Sequence, residues 1–333
     1  MGMTKEELLR LTEEINVNNN MISNCKYWSS EIYGFGKYFR EYGFYPRFLP
    51  LHIYSDHGPP LDTDEPFACE INNDSPVLMV FPKAKKEILE QKVNKPVYNI
   101  ISPFVFYRRK YKIKQAENAR GTISFPAHST PWVEDCLDHE IYIKQLKELP
   151  DEFQPVSVCL HMHDIRKGLH EVYMKHGIPV YTAGNSLDYR FTKRFYDILK
   201  DFKYSTSNAV SSCCAYSIEM GIPSFVYGEH CQYINISNEN IPPGEYDAFK
   251  YSKYKKYFYI MKYPNIEISK ELQLMIYDDL GITNTISRLK MTYVLYMAYF
   301  KNPDIKNDII FPFLRRTKEI IRKPKLLFKE NYQ

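Results

Sequence analysis

The stretch KYSTSNAVSSCCAYSIEMGIPSFVYG, residues 203–228, decides how the chain is read. It opens as a strand, breaks at Ser207-Asn208 and restarts with helical spacing. It then turns at Gly221 and Pro223 and closes as a second strand. Strand, helix and strand in such close succession make a βαβ unit of a parallel sheet. Ser205, Thr206, Ser207, Asn208, Ser211 and Ser212 crowd the break. Two readings stand side by side. One hydroxyl caps the helix and the others fill a turn, or the loop receives an anion, since unpaired N–H groups and the helix dipole both favour negative charge there.

Working outward, the same alternation continues. GTISFPA (121–127), PVSVCLHMH (155–163) and PVYTAG (179–184) read as strands. Residues 132–148, 164–177 and 188–202 carry helical spacing between them. Right-handed crossovers then place helices on both faces of one parallel sheet, a Rossmann-like unit over 118–265. The first part, 1–117, is less regular. PVLMVFP (76–82), a helix over 83–92 and VYNII (97–101) repeat the theme. RFLPLHIYSDHG (47–58) reads as a strand ending in a polar loop, and a helix falls within 27–43. A basic stretch, 108–120, reads as the linker, and 266–333 as a helical segment packing back across both domains. The expected fold class is α/β, with two Rossmann-like domains facing across a cleft and C-terminal helices.

Composition narrows the function. A net charge of +4 over 333 residues is too small to imply nucleic-acid binding. With 29 tyrosines and 20 phenylalanines, the chain suits broad, polar, aromatic-lined clefts. Its seven cysteines form no CxxC and read as reduced thiols, so a cytoplasmic setting is expected. The N-terminus lacks an apolar signal core, and MTYVLYMAYF (291–300) is too short to span a bilayer and reads as a buried helix. Neither GxGxxG nor GxxxxGK[ST] occurs, which argues against a dinucleotide enzyme or P-loop ATPase.

Ligands of open parallel sheets bind beyond the carboxyl ends of the strands. The loops in question are SDHGPP, HSTP, HMHD, TAGNS and STSNAVSS. On GTISFPAHSTP, PVYTAG, RFYDILKDFKYSTSN and EMGIPSFVYG the chain resembles glycosyltransferases of the GT-B type, and more narrowly those of bacterial capsule and lipopolysaccharide biosynthesis. The resemblance covers residues 120–230 and extends to the N-terminal domain only in outline. It implies an enzyme that moves a sugar from a nucleotide-sugar donor to a surface-glycan or lipid-linked glycan acceptor. Donor binding would fall mainly to the second domain and acceptor binding to the first. Many such enzymes place a ribose-holding Glu five residues before the glycine that is Gly221 here; Tyr216 occupies that position. Sialyl- and Kdo-transferases, which use CMP-activated acids, resemble the chain in the His128-Ser129-Thr130 loop and the Ser211-Ser212 pair. The expected nucleotide-binding set is His128, Ser129, Thr130, His161, Gly184, Ser207, Asn208, Ser211 and Ser212, with a CMP donor preferred over UDP and no cofactor.

An inverting reaction needs a base in the cleft. Asp56, in SDHGPP, is the expected base and His57 its competitor; Gly58 allows a sharp turn. Two other readings concern metal. His161 and His163 share a strand face and would make the first ligands of a metal-dependent hydrolase. LDTDE (61–65) contains an Asp-x-Asp, but after Pro59-Pro60 it reads as a solvated acidic loop. A non-catalytic nucleotide- or carbohydrate-binding protein is the remaining alternative. Cys213-Cys214, inside the expected helix, read as buried thiols. The tail interleaves Arg315, Arg316, Lys318, Arg322, Lys323, Lys325 and Lys329 with Leu, Ile and Phe. It reads as a helix packing across the domains that also offers a basic face to the inner surface of the membrane.

Overall fold

The structure, a computed structural model, describes residues 2–15, 27–236, 244–263 and 266–301. The basic tail from Arg315 onward lies outside the described residues. Three short strands, β1 (Tyr54–Ser55), β2 (Leu78–Val80) and β3 (Val97–Asn99), make a parallel sheet in the order β1-β2-β3. Eight more follow: β4 (Thr122–Ser124), β5 (Val133–Asp135), β6 (Val156–Cys159), β7 (Val180–Tyr181), β8 (Tyr204–Ser207), β9 (Ser224–Val226), β10 (Tyr233–Asn235) and β11 (Gly244–Tyr246). Five of them form the second parallel sheet, ordered β7-β6-β4-β8-β9. The chain winds outward from β4 to β7, then returns to β8 beside β4. The order therefore reverses between β4 and β8, where a doubly wound sheet opens its crevice. The expected α/β class with two parallel-sheet units is what the chain forms.

The central strands are unusual in what they bury. Thr122, Ser124, Ser205, Thr206 and Ser207 are all inaccessible to solvent. Small hydroxyl side chains let helices approach, but each desolvated oxygen needs a partner. Thr122 donates to the Phe153 carbonyl at 2.8 Å, Thr206 to that of Phe225 at 2.9 Å, and Ser124 pairs with the Tyr142 hydroxyl at 2.9 Å. Three of the six residues crowding the opening stretch thus belong to the strand itself.

Several boundaries differ from expectation for one reason, non-local pairing. Residues 133–135 carry helical spacing with 137–146, yet they form β5 because β10 pairs with them; the helix starts only at His139. With β11 these make a small antiparallel sheet. Residues 164–177 do not form one helix: Met162–Arg166 and Leu169–Lys175 are separated at Gly168, whose φ of 83° breaks the run.

The two units are tied by buried polar and aromatic contacts. Phe104, in the helix Pro103–Lys110, stacks on Tyr216 of the helix Ser212–Met220 at 4.3 Å and 12°. The fully buried Glu219 carboxylate accepts from Arg108 Nε and Nη2 at 2.5 and 2.6 Å and from Arg109 Nε at 3.0 Å. The basic stretch expected as linker therefore begins as a helix with a cross-domain clamp. The N-terminal helix, Lys5–Glu13, packs on the second unit: Met3 N–H donates to the Val180 carbonyl, and Leu8 joins the core around Val180 and Ile165. In return, the C-terminal helices reach the first unit. Ser102 N–H donates to Leu280, Ile286 N–H to Asn99, and Tyr42 Oη to Ile286.

Removing one partner of a buried charge pair leaves the other charge desolvated. Glu219→Ala, which strands two guanidinium groups, should lower unfolding free energy by about 3 kcal/mol. Urea denaturation reads this directly, and an unchanged midpoint would show that the clamp is not a structural tie.

Candidate functional site

The loops after β4 and β8 meet at the reversal point. Asn208, just past β8, accepts from Ala127 N–H at 2.7 Å and donates to the Glu229 carbonyl at 3.2 Å. It ties together the ends of three adjacent strands and leaves His128 next in line. Ser207 Oγ accepts from Ala209 N–H at 3.3 Å. The Ser129 hydroxyl donates to Asp135, and Thr130 Oγ1 accepts from Trp132 and Val133 N–H at 3.3 and 3.1 Å. Ser129, Thr130, Ser207 and Asn208 thus have polar atoms engaged in shaping the loops.

The helix Ser212–Met220 starts differently. Ser211 holds the N-cap position with φ −136° and ψ 161°, but its side chain makes no capping hydrogen bond. Its hydroxyl lies 3.4 Å from Cys214 Sγ instead. Plain capping, one of the two readings of the opening stretch, is therefore not what Ser211 does. Among the described residues, nothing accepts from the N–H groups of Ser212 and Cys213. With the dipole behind them, they form a positive, donor-bearing end. Burial pushes the Cys213 thiol well above its ordinary range, so it is no nucleophile at neutral pH.

The first unit brings a loop to this helix end. Gly58 lies so near Ser212 that a Cβ built on it would sit 2.9 Å from Ser212 Oγ. Its φ is not in the left-handed region, so glycine serves the close approach of the two units rather than a turn conformation. His57, beside it, is exposed on one face, with the Trp28 ring 5.1 Å away at 52°. Surrounding protein desolvates the imidazole and holds its pKa below the ordinary 6.5, against the pull of the Asp56 carboxylate.

Asp56, the expected base, is placed otherwise. It is buried, and both its oxygens are engaged: Oδ2 accepts from Phe81 N–H at 2.8 Å and Oδ1 from Lys85 Nζ at 2.6 Å. Lys85 also donates to Glu70 Oε1 at 2.6 Å. The result is a sealed carboxylate–ammonium–carboxylate triad under the loop. A base must reach the proton it removes, and Asp56 faces Lys85 instead.

The histidines of the second unit are also arranged unexpectedly. His161 caps the short helix Met162–Arg166 and is not part of β6, so it and His163 do not share a strand face. The His161 ring stacks on His128 at 4.1 Å and 20°. Burial, then the neighbouring imidazoles, push His161 well below its ordinary pKa; His128 is lowered chiefly by burial. Among the described residues, no three His, Cys, Asp or Glu side chains gather to hold a metal. Gly184 has φ 87° and faces the N-terminal helix, with the Leu11 carbonyl 2.8 Å from where a Cβ would be, which fits packing better than ligand contact. The LDTDE loop is not simply solvated: Asp62 accepts from Tyr246 Oη and Asp64 from Lys253 Nζ, the latter at 2.6 Å.

Residues that sequence reasoning passed over include Lys85, Glu70 and Trp28; one that it reads only as suited to a helix N-cap, the place His161 takes, is Asp164. The last is buried beneath the His128 loop, with Ser129 N–H 3.4 Å from its Oδ1.

No family model matches the chain, and no curated protein matches it. Among solved structures, one of the wall teichoic acid polymerase TagF, soaked with CDPG, is similar over 89% of this chain and 94% of that chain. The TM-score is 0.39 and the sequence identity 11%. At that TM-score the likeness carries no argument; the two-unit α/β architecture rests on the strands described above.

Asp164 makes a pH test of this loop. Burial first, then the nearby Asp135 carboxylate, push its pKa up to about 7 from 3.8. The native carboxyl therefore keeps a proton that the unfolded chain sheds, and its contribution to stability falls as pH rises from about 4 through 7. The buried histidines, with lowered pKa, act in the opposite sense. The readout is therefore the difference between wild type and Asp164→Asn. That difference in melting temperature should shift against the wild type as pH rises. A constant offset would place Asp164 in an ordinary, ionised environment.

Proposed function

We propose that the chain is a glycosyltransferase of the GT-B type, inverting, taking its sugar from a nucleotide donor. The observation that carries this reading is the uncapped start of the helix Ser212–Met220, against which the first unit packs Gly58, the neighbour of the exposed His57. In the reaction, an acceptor hydroxyl attacks the anomeric carbon, its proton passes to an imidazole nitrogen of His57, and the bond from that carbon to the donor phosphate oxygen breaks. The leaving nucleotide gains negative charge as the bond breaks. The N–H groups of Ser212 and Cys213 and the hydroxyls of Ser211 and Ser212 would meet that charge, which is where preorganised donors lower a barrier most. The His128–His161 stack borders the same loops, so its aromatic face suits the nucleotide base or the sugar.

The base role moves from Asp56 to His57. Desolvation keeps the imidazole neutral at physiological pH, the form that accepts a proton. Asp56 then acts as a positioning residue, holding the loop through Phe81 N–H and Lys85. A CMP-activated donor remains preferred. Glu219, the acidic residue nearest the position of the missing ribose-holding Glu, is spent on Arg108 and Arg109, and Tyr216 on Phe104. A surface-glycan or lipid-linked acceptor completes the reading.

Four measurements test it. Thermal stabilisation by CMP, UDP and GDP, each with and without EDTA, reports which nucleotide binds the native state. A shift with CMP that EDTA leaves unchanged is expected. A shift only with UDP or GDP removes the CMP preference, and no shift at all removes the phosphate site. His57→Ala should lower transfer by about 10²–10⁴-fold while leaving the nucleotide-induced shift intact. In the wild type, kcat/KM should fall on the acid side with a midpoint below 6.5. Full transfer by the variant would refute the base assignment. Gly58→Ala, which inserts a methyl group against Ser212, should cost activity with little change in melting temperature. Unaltered turnover there would mean that the two loops do not meet during the reaction.

A further inference from the structure

The helix Arg288–Phe300 is apolar on more than one side. Met291, Val294, Leu295, Ala298 and Tyr299 are buried, facing the first unit. The sequence reading expected 291–300 to be a buried helix, and this face alone meets that expectation. A second row, Leu289, Tyr293 and Phe300, lies at i, i+4 and i+11, so it also shares a face. These residues are 77%, 60% and 68% exposed. Tyr296, in the same row, is half-buried against Tyr45 at 5.1 Å. An exposed apolar stripe three turns long on a helix that already has a buried face is not explained by packing.

The stripe continues onto the neighbouring loop. Phe44 and Phe48 are 59% and 65% exposed. The Arg288 guanidinium joins loop to helix: it stacks on the Phe44 ring at 4.0 Å and donates to the carbonyls of Glu41 and Tyr42. Phe44 keeps φ at 48°, a left-handed conformation that a bulky residue rarely holds.

Charge identifies the occupant. Arg47, Arg288, Lys290 and Lys301 are exposed around these rings, and neither 44–48 nor 280–301 contains an acidic residue. A second copy would set this basic rim against itself. The chain's own continuation, 302–333, holds eight Lys and Arg against four Asp and Glu, so it too is mismatched in sign. We propose that Leu289, Tyr293 and Phe300, with Phe44 and Phe48, form the surface by which this protein docks on an anionic bilayer. The rings enter the headgroup layer and Arg47, Arg288, Lys290 and Lys301 pair with lipid phosphates. Aromatic rings bordered by basic residues are the composition that interfacial anchoring uses. No helix among the described residues is long and apolar enough to cross a membrane, so contact is with one face only. This inference does not depend on the chemistry assigned to the cleft.

The test is co-sedimentation of the full chain with vesicles of phosphatidylcholine alone or mixed with phosphatidylglycerol. Binding is expected to the mixed vesicles, weakening as salt is raised. The variant L289S/Y293S/F300S should bind about tenfold or more weakly at an unchanged melting temperature. R315A/R316A, in the tail, should bind like the wild type. The proposal is overturned if the wild type stays in the supernatant, if the two vesicle types bind equally, or if the tail variant loses binding while the triple serine variant keeps it. It is also overturned if the wild type is a dimer that the triple variant converts to monomer, since a second copy would then be the occupant.

Discussion

A single ammonium group under the first sheet constrains much of what surrounds it. Lys85 is almost wholly buried and touches two carboxylates, Asp56 and Glu70, each at 2.6 Å. One positive charge between two acids cannot neutralise both. Burial therefore pushes Glu70 up to about 7, although the Lys85 ammonium pulls the other way. Asp56 also accepts from Phe81 N–H, while its own N–H donates to Met79. The loop after β1 is thus pinned to β2 on both sides. Its next residue, His57, is aimed outward because its predecessor is locked inward.

The same logic joins the two units. One apolar core runs through both, with Phe104 of the first unit packed on Phe195 and Tyr216 of the second, and polar ties are set into it. Here Glu219 gathers Arg108 and Arg109 at one end of the helix Ser212–Met220, while Gly58 meets Ser212 at the other. Between them Tyr216 stacks on Phe104 and its hydroxyl receives that of Ser102 at 3.4 Å. One helix is therefore fixed to the first unit along its length, and its open N-terminus stays opposite the His57 loop. The abundance of tyrosine finds a use here: a ring that packs while its hydroxyl is satisfied suits an interface neither dry nor fully wet.

The sequence made the second sheet legible because parallel strands and their crossover helices alternate in short, punctuated runs. Gly177, Gly221 and Pro223 mark the joints. What it hid depends on distant partners. Val133–Asp135 pairs with Tyr233–Asn235, and nothing local separates that strand from the start of a helix. HMHD reads as a strand end because β6 precedes it, yet the strand stops at Cys159 and His161 caps a helix. Asp56 reads as an available carboxylate because its partner lies 29 residues away. A signal was nevertheless present. In KAKKEILEQK, Lys85 shares a helical face with Leu89, and a lysine on a core-facing stripe asks for a buried acid.

The crowding of hydroxyls in KYSTSNAVSS separates on inspection into three jobs. Ser205, Thr206 and Ser207 sit in a central strand, where small side chains allow the flanking helices to close in. Asn208 fastens neighbouring strand ends. Only Ser211 and Ser212 belong to the helix start, and there the usual cap is withheld. An N-cap bond is worth about 1 kcal/mol, so a serine in capping position that bonds elsewhere forgoes readily available stability. A helix end with such a residue in place and its amides open is the feature on which the proposed anion site rests. The buried ties at its other end supply the rigidity that makes the open end tolerable.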